Sequence, residues 1–193
     1  MFLDGVFAFG ISEYNLHMYH LQEGMELSSE KLKDIQQTVL KQEAKDYALR
    51  LLDARPYTQK ALADKLKIRG TSPEIIEETI EFLQSYHYID DEGYARRYVQ
   101  AAVKQGKSGK RKLLYDLIAK GIKKETAQAV LEQIEFEETD AVTPLLEKKL
   151  KGDYSFQNIM KAKRYMLSRG FSSEAVDTAL RKLKHDEEEW FDA

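Results

Sequence analysis

Three segments of this chain follow one pattern: an apolar residue, a glycine four positions later, and another apolar residue thirteen positions beyond the glycine. Leu66-x-x-x-Gly70 runs to Leu83, Leu117-x-x-x-Gly121 to Ile134, and Met166-x-x-x-Gly170 to Leu183, with the glycines 51 and 49 residues apart. A period of this length means one supersecondary unit used repeatedly, so the fold is read from the unit. Each unit is near the lower size limit for an independent core, which predicts that neighbouring units pack on one another.

The unit is helical. Ala44, Ala48, Leu51 and Leu52 fall three and four apart, on one face of a helix that Arg55-Pro56 must end, because a residue before proline avoids the α region. Thr58 is placed to cap a second helix with Ala61, Leu62 and Leu66 inward. Gly70 closes it in the left-handed conformation. Thr71-x-x-Glu74, with Pro73 between, reads as a capping box opening a third helix whose inner stripe is Ile75, Ile76, Thr79, Ile80 and Leu83.

The plan recurs twice. Asp90 or Asp91 caps a helix with Ala95, Tyr98, Val99, Ala102 and Val103 inward, followed by Leu113, Leu114 and Leu117, then Val130, Leu131 and Ile134. The third copy supplies Val142, Leu145, Leu146 and Leu150, then Ile159, Ala162, Tyr165 and Met166, then Val176, Ala179, Leu180 and Leu183. Ahead of the units, the apolar runs Phe2–Asp4 and Val6–Ile11 flank Asp4-Gly5, which predicts a β-hairpin. Ser28 or Ser29 opens a long helical pattern.

The expected fold is mainly α, with three tandem three-helix units in an elongated, curved array and a small N-terminal hairpin. The expected segments are a hairpin region over 1–27, a linker helix with the first unit over 28–89, the second unit over 90–138, the third over 139–185, and an acidic tail over 186–193.

Charge separates the units. From Gly93 to Lys124 the basic residues are Arg96, Arg97, Lys104, Lys107, Lys110, Arg111, Lys112, Lys120, Lys123 and Lys124, against the single acid Asp116. That segment carries +9 in a chain whose net charge is -3, so the remainder carries -12. Such asymmetry points to a polyanionic or acidic partner. Ser108 is placed to cap the helix that begins Lys110-Arg111-Lys112, and amides at that terminus would favour an anion. Those ten residues are the expected binding site.

Other candidates are weaker. Tyr98 lies on an apolar stripe, as a packing residue does, while Tyr57, Tyr86 and Tyr88 near the unit boundaries are read as packing residues too. Asp90-Asp91-Glu92 is read as a helix cap. His17 and His20 lack an evident third ligand, so neither metal nor cofactor is expected. With no phosphate loop or nucleophile motif, the reading is of a protein that is not an enzyme. The chain has no cysteine and no apolar run of membrane-spanning length, and a soluble, cytoplasmic monomer is expected.

The ordered set of motifs resembles the RecX family of recombinase regulators. It comprises Leu3-Asp4-Gly5-x-Phe7-Ala8-Phe9, Tyr88-Ile89-Asp90-Asp91-x-x-Tyr94-Ala95-x-x-Tyr98-Val99, Gly106-x-x-Gly109, Leu117-x-x-Lys120-Gly121-Ile122 and Arg169-Gly170-Phe171. The resemblance covers nearly the whole chain. It departs at Lys60-Ala61-Leu62, where many members carry an acidic residue beside the leucine. It implies a non-enzymatic protein that binds the RecA nucleoprotein filament, inhibits recombinase and ATPase activity in DNA repair, recombination and the SOS response, and contacts single-stranded DNA, with duplex DNA as a second expected partner.

Two other readings stand beside it. One is a duplex-DNA regulator of the helix-turn-helix kind. Against it, the helix after Gly70 presents Glu74, Glu77, Glu78 and Glu81, which a major groove would repel. The other is a helical-repeat adaptor for acidic protein surfaces.

Overall fold

The computed structural model describes residues 1–8 and 10–191, so Phe9 of the first motif lies outside it, and side chains are described as far as Lys184. The chain forms two compact units, Met1–Ile89 and a second beginning at Asp90.

In the first unit, β1 (Phe2–Leu3) and β2 (Val6–Phe7) pair antiparallel, Phe2 opposite Phe7 and Leu3 opposite Val6. Asp4 and Gly5 both have positive φ, as a two-residue hairpin turn requires. The second strand stops at Phe7, well short of Ile11. Phe2, Val6 and Phe7 are all exposed, and a two-stranded ladder without a packed face does not extend itself. Helix α1 (Glu13–Met18) follows, capped by the Ser12 hydroxyl.

Helix α2 (Ser29–Ala54) runs without a break for 26 residues from its Ser28 cap. The Tyr19 hydroxyl hydrogen-bonds Thr38 Oγ1 at 2.7 Å, tying the segment after α1 to the first half of α2. The second half supplies the first helix of the first repeat: Ala44 and Ala48 are buried against α3 (Gln59–Ile68) and α4 (Pro73–Ser85). Leu62, Leu66 and Leu83 are fully buried between these helices, and each side chain so buried contributes about 1.5–3 kcal/mol.

Arg55 is extended, as the following proline demands, and Thr58 Oγ1 accepts the Ala61 amide N–H at 3.2 Å. The cap of α4 is Ser72, one residue later than Thr71, accepting from the Ile75 amide N–H. Pro73 sets this: the residue before it is held extended, which is the cap conformation. The Glu74 carboxyl is lowered from its ordinary pKa by its own backbone amide and by the Ser72 hydroxyl.

The second unit contains α5 (Asp91–Gln105), α6 (Lys110–Ala119), α7 (Lys124–Gln133), α8 (Glu138–Leu150), α9 (Phe156–Ser168) and α10 (Ser173–Phe191). Asp90 caps α5 by accepting the Gly93 amide N–H at 2.9 Å. The second and third repeats share one apolar core, in which Val99, Leu113, Leu117 and Val130 join Leu146, Met166, Phe171 and Val176. Backbone α10 continues to Phe191 and so takes up most of the segment expected as an acidic tail.

The repeats meet at two glycines. Gly109 donates its amide N–H to the Arg169 carbonyl at 3.0 Å, and Arg111 donates to the Gly170 carbonyl at 3.2 Å. A Cβ on Gly109 would stand 2.3 Å from the Gly170 oxygen, and one on Gly170 would stand 2.3 Å from the Lys112 nitrogen. Backbone therefore packs directly on backbone here. Gly170 also has a φ of +83°, like the corresponding Gly70 and Gly121.

Candidate polyanion-binding site

The ten basic residues lie on α5, α6, the turns that follow them and the first residue of α7. Tyr94 and Tyr98, on the first turns of α5, lie beneath Lys120, just past the end of α6, with Nζ 5.9 and 5.2 Å from the ring centroids. The α5–α6 turn at Gly106–Gly109 lies at the other end of both helices. The cations therefore collect at two poles: Arg96, Arg97, Lys120, Lys123 and Lys124 toward one, and Lys104, Lys107, Lys110 and Arg111 toward the other. A ten-residue helix such as α6 separates them by about 15 Å.

Three of the ten are engaged. Arg96 forms an i,i+4 salt bridge with Glu92 at 2.9 Å. Lys112 Nζ meets both carboxylate oxygens of Asp116, at 2.9 and 3.0 Å. Tyr98 donates its hydroxyl to the same carboxylate at 3.2 Å. Burial, then the Asp116 charge and hydrogen bond, raise the Tyr98 pKa above its ordinary value. The one acid of the basic segment thus holds a lysine and a core tyrosine in place. Lys120 is a cation–π partner of both tyrosines.

Arg97, Lys104, Lys107, Lys110, Arg111, Lys123 and Lys124 are exposed, and among the described residues none of the seven enters a side-chain ion pair. Charges in this state are available to an anionic partner.

The amides of α6 are not. Its N-cap is Gly109, and Ser108 makes no capping bond. The Lys110 N–H donates to Glu138 Oε1 at 2.6 Å, and the Arg111 N–H is taken by the Gly170 carbonyl. The expected anion at this terminus is the protein's own Glu138, whose Oε2 also accepts the Ser172 N–H at 3.1 Å, at the start of α10. The side chains of Lys110 and Arg111 remain candidates, but the helix terminus does not.

Tyr165, expected in the core stripe of α9, is 41% exposed. Its ring lies between Lys149 Nζ, 4.7 Å from the centroid, and the Arg169 guanidinium, 5.5 Å away. Arg169 also donates through Nε to the Lys107 carbonyl at 2.6 Å and through Nη1 to the Tyr165 hydroxyl at 2.8 Å. Two cations of the third repeat thus adjoin the Lys107 pole. Neither was marked by the +9 run, which ends at Lys124.

Tandem three-helix repeats define a helical-repeat protein, whose middle repeat is the basic one. Comparison with known proteins narrows this. Residues 44–83 match the family model for the first three-helix domain of RecX, and residues 90–131 that for the second. The regulatory protein RecX of Caldanaerobacter subterraneus subsp. tengcongensis is 35% identical over 182 residues, covering 93% of this chain and 90% of the relative. That of Bacillus subtilis is 31% identical over 193 residues, covering 98% and 73%. A crystal structure of a regulatory protein RecX superposes with a TM-score of 0.76 at 25% identity, covering 92% of each chain. That of RecX from Lactobacillus salivarius gives 0.69 at 25% identity, covering 75% of this chain and 97% of that one. The chain belongs to the RecX family of regulatory proteins.

Proposed function

We propose that this protein binds the RecA nucleoprotein filament in the cytoplasm and restrains its recombinase and ATPase activity during DNA repair and recombination. The observation that carries the reading is the set of seven exposed cations from α5 to the start of α7, none of which pairs with an acid among the described residues. Membership of the RecX family supports RecA as the target. The cationic poles would engage filament phosphates or acidic protein surface, and the flanking repeats would add contacts. Joined units raise one another's effective concentration, so weak individual contacts sum to tight binding. Such a protein acts by favouring one filament state through differential affinity.

A duplex-reading role is disfavoured, because Glu74, Glu77, Glu78 and Glu81 are all exposed on α4. The test is RecA ATPase on single-stranded DNA, titrated with wild type and with a variant carrying R97E, K107E, K110E and R111E. Inhibition by wild type that is weakened at least tenfold in the variant is the expected result. A wild-type protein without effect would sink the reading, and equal inhibition by both would move the site elsewhere.

A further inference from the structure

The third repeat carries a basic run of its own. From Lys148 to Arg169, between the acids Glu147 and Glu174, the chain has seven basic residues against one acid, Asp153, a net +6. Lys163 pairs with Asp177 at 2.6 Å. Among the described residues the other six enter no side-chain ion pair. Asp153 is taken up locally, since its Oδ1 accepts the Ser155 amide N–H at 2.9 Å just ahead of α9. Arg169 joins this run to the one before it. Its Nε donates to the Lys107 carbonyl, while its guanidinium and Lys149 Nζ flank the Tyr165 ring. The +9 and +6 segments therefore meet at the Lys107 turn.

We propose that the third repeat holds a single strand of nucleic acid, with its phosphates on Lys149, Lys161, Arg164 and Arg169 and an unpaired base on Phe156. Helix α9 contains no acid. At about 3.6 residues per turn, its outer arc runs in the order Phe156, Met160, Arg164, Lys161, Tyr165. All five are exposed, Phe156 by 77%. Two free cations thus stand between two aromatic rings. Lys149 and Arg169 already cover the Tyr165 ring, which leaves Phe156 as the ring open to a base. Cations that follow the backbone, interleaved with rings that take base faces, are what sequence-tolerant strand binding uses.

The charge separates phosphate from a protein partner. Lysine is depleted at the core of protein interfaces, where its strongly hydrated ammonium and long stem would have to be dried and ordered. Four of the six unpaired cations here are lysines. A strand supplies a phosphate at every nucleotide and leaves each ammonium partly in water. The exposed ring separates a single strand from a duplex. A duplex keeps its base faces stacked inside, so it would meet the same cations and bury nothing on Phe156. The middle helix of the second repeat shows the same mixture, with Tyr115 of α6 72% exposed one turn from Arg111. The proposal rests on the reading that this protein works on a DNA-bearing filament. It extends the strand contact from the second repeat onto the third.

The test uses the full-length chain, a labelled oligothymidylate and a labelled duplex of equal length, with fluorescence anisotropy read over a series of salt concentrations. The variant K149Q/K161Q/R164Q should bind the oligothymidylate at least about tenfold more weakly at low salt. Its slope of log affinity against log salt should fall by up to about 2, for three lost contacts of about 0.7 each. K149R/K161R/R164K keeps the charges, controls for folding, and should bind within about twofold of wild type. F156A should bind the oligothymidylate at least about fivefold more weakly, the lower end of what one stacked base is worth, with its salt slope and duplex affinity unchanged. An unchanged salt slope in K149Q/K161Q/R164Q overturns the proposal, including where that variant loses RecA inhibition, which would mark a protein-docking surface. An F156A protein that keeps wild-type affinity for the oligothymidylate, or loses it equally for the duplex, overturns the choice of a single strand. Because no RecA is present, failure here leaves the ATPase reading standing, and failure of the ATPase reading leaves this measurement interpretable.

Discussion

The Glu138 carboxylate accepts the Lys110 amide N–H at 2.6 Å, across 28 residues of sequence. With its other oxygen it accepts the Ser172 amide N–H, so a single side chain closes the start of α6 and the approach to α10. A cap at one helix start is worth about 0.5–2 kcal/mol. Glu138→Ala removes an acceptor from two amides at once and should cost about 1–3 kcal/mol in urea denaturation. Glu138→Gln keeps one acceptor oxygen and should lose less. A change below about 0.5 kcal/mol for alanine would show that water replaces the carboxylate at both sites.

The repeat glycines should not tolerate alanine equally. Gly70 and Gly170 share a positive φ, but a Cβ on Gly70 meets open space, whereas one on Gly170 strikes Lys112 backbone. Gly70→Ala should cost about 1–2 kcal/mol, the penalty of the left-handed region alone. Gly170→Ala adds a collision that only backbone movement relieves, and should cost clearly more. Thermal unfolding of both variants decides this, and equal losses would contradict the close contact.

Asp116 restrains the basic segment. Asp116→Asn takes away the partner of Lys112 and raises the segment to +10. Affinity for a single strand at low salt should rise severalfold, and the slope of log affinity against log salt should steepen by up to about 0.7. The variant should also lower the Tyr98 pKa toward its ordinary value, seen as earlier phenolate absorbance in an alkaline titration. An unchanged salt slope would mean that Lys112 lies away from the bound anion.

Asp177 predicts an acid response. The hydrogen bond from Lys163 at 2.6 Å is the main cause of its lowered pKa, opposed by desolvation. A carboxyl lowered in the folded state contributes stability that is present above the unfolded value near pH 4, and that is lost as pH falls through the folded value. Wild type should therefore lose more stability between pH 5 and pH 3 than Lys163→Met. At pH 7 the two should differ by less than about 1 kcal/mol, since both side chains are partly exposed. Parallel pH profiles would show that the pair contributes nothing.

Local signals were legible, and distant ones were not. Arg55-Pro56, Thr58, Asp90 and the repeat glycines act on neighbours within a turn, so residue type alone identified a stop, two caps and three left-handed closures. Thr71 failed as a cap because the constraint that Pro73 places on Ser72 outweighed the spacing of the capping box. Ser108 failed because its competitor, Glu138, lies far along the chain and comes close only once the third repeat folds. Tyr86 and Tyr88, expected to pack at a unit boundary, stand 64% and 53% exposed in the turn after α4, and Tyr165 failed for a further reason. Helical periodicity marks which side a residue occupies, but not where an apolar stripe runs past the edge of its partner helix.

Glu138, which closes the start of α6, and Gly170, which packs on Gly109, both lie outside the 90–131 stretch that matches a RecX domain. The middle repeat therefore does not contain everything needed to finish its own second helix. A fragment trimmed to that stretch would keep all ten basic residues and lose the groups that fix the helix carrying three of them, Lys110, Arg111 and Lys112, with Lys120 just past its end. The smallest piece that holds the cations in their native places is the second and third repeats together.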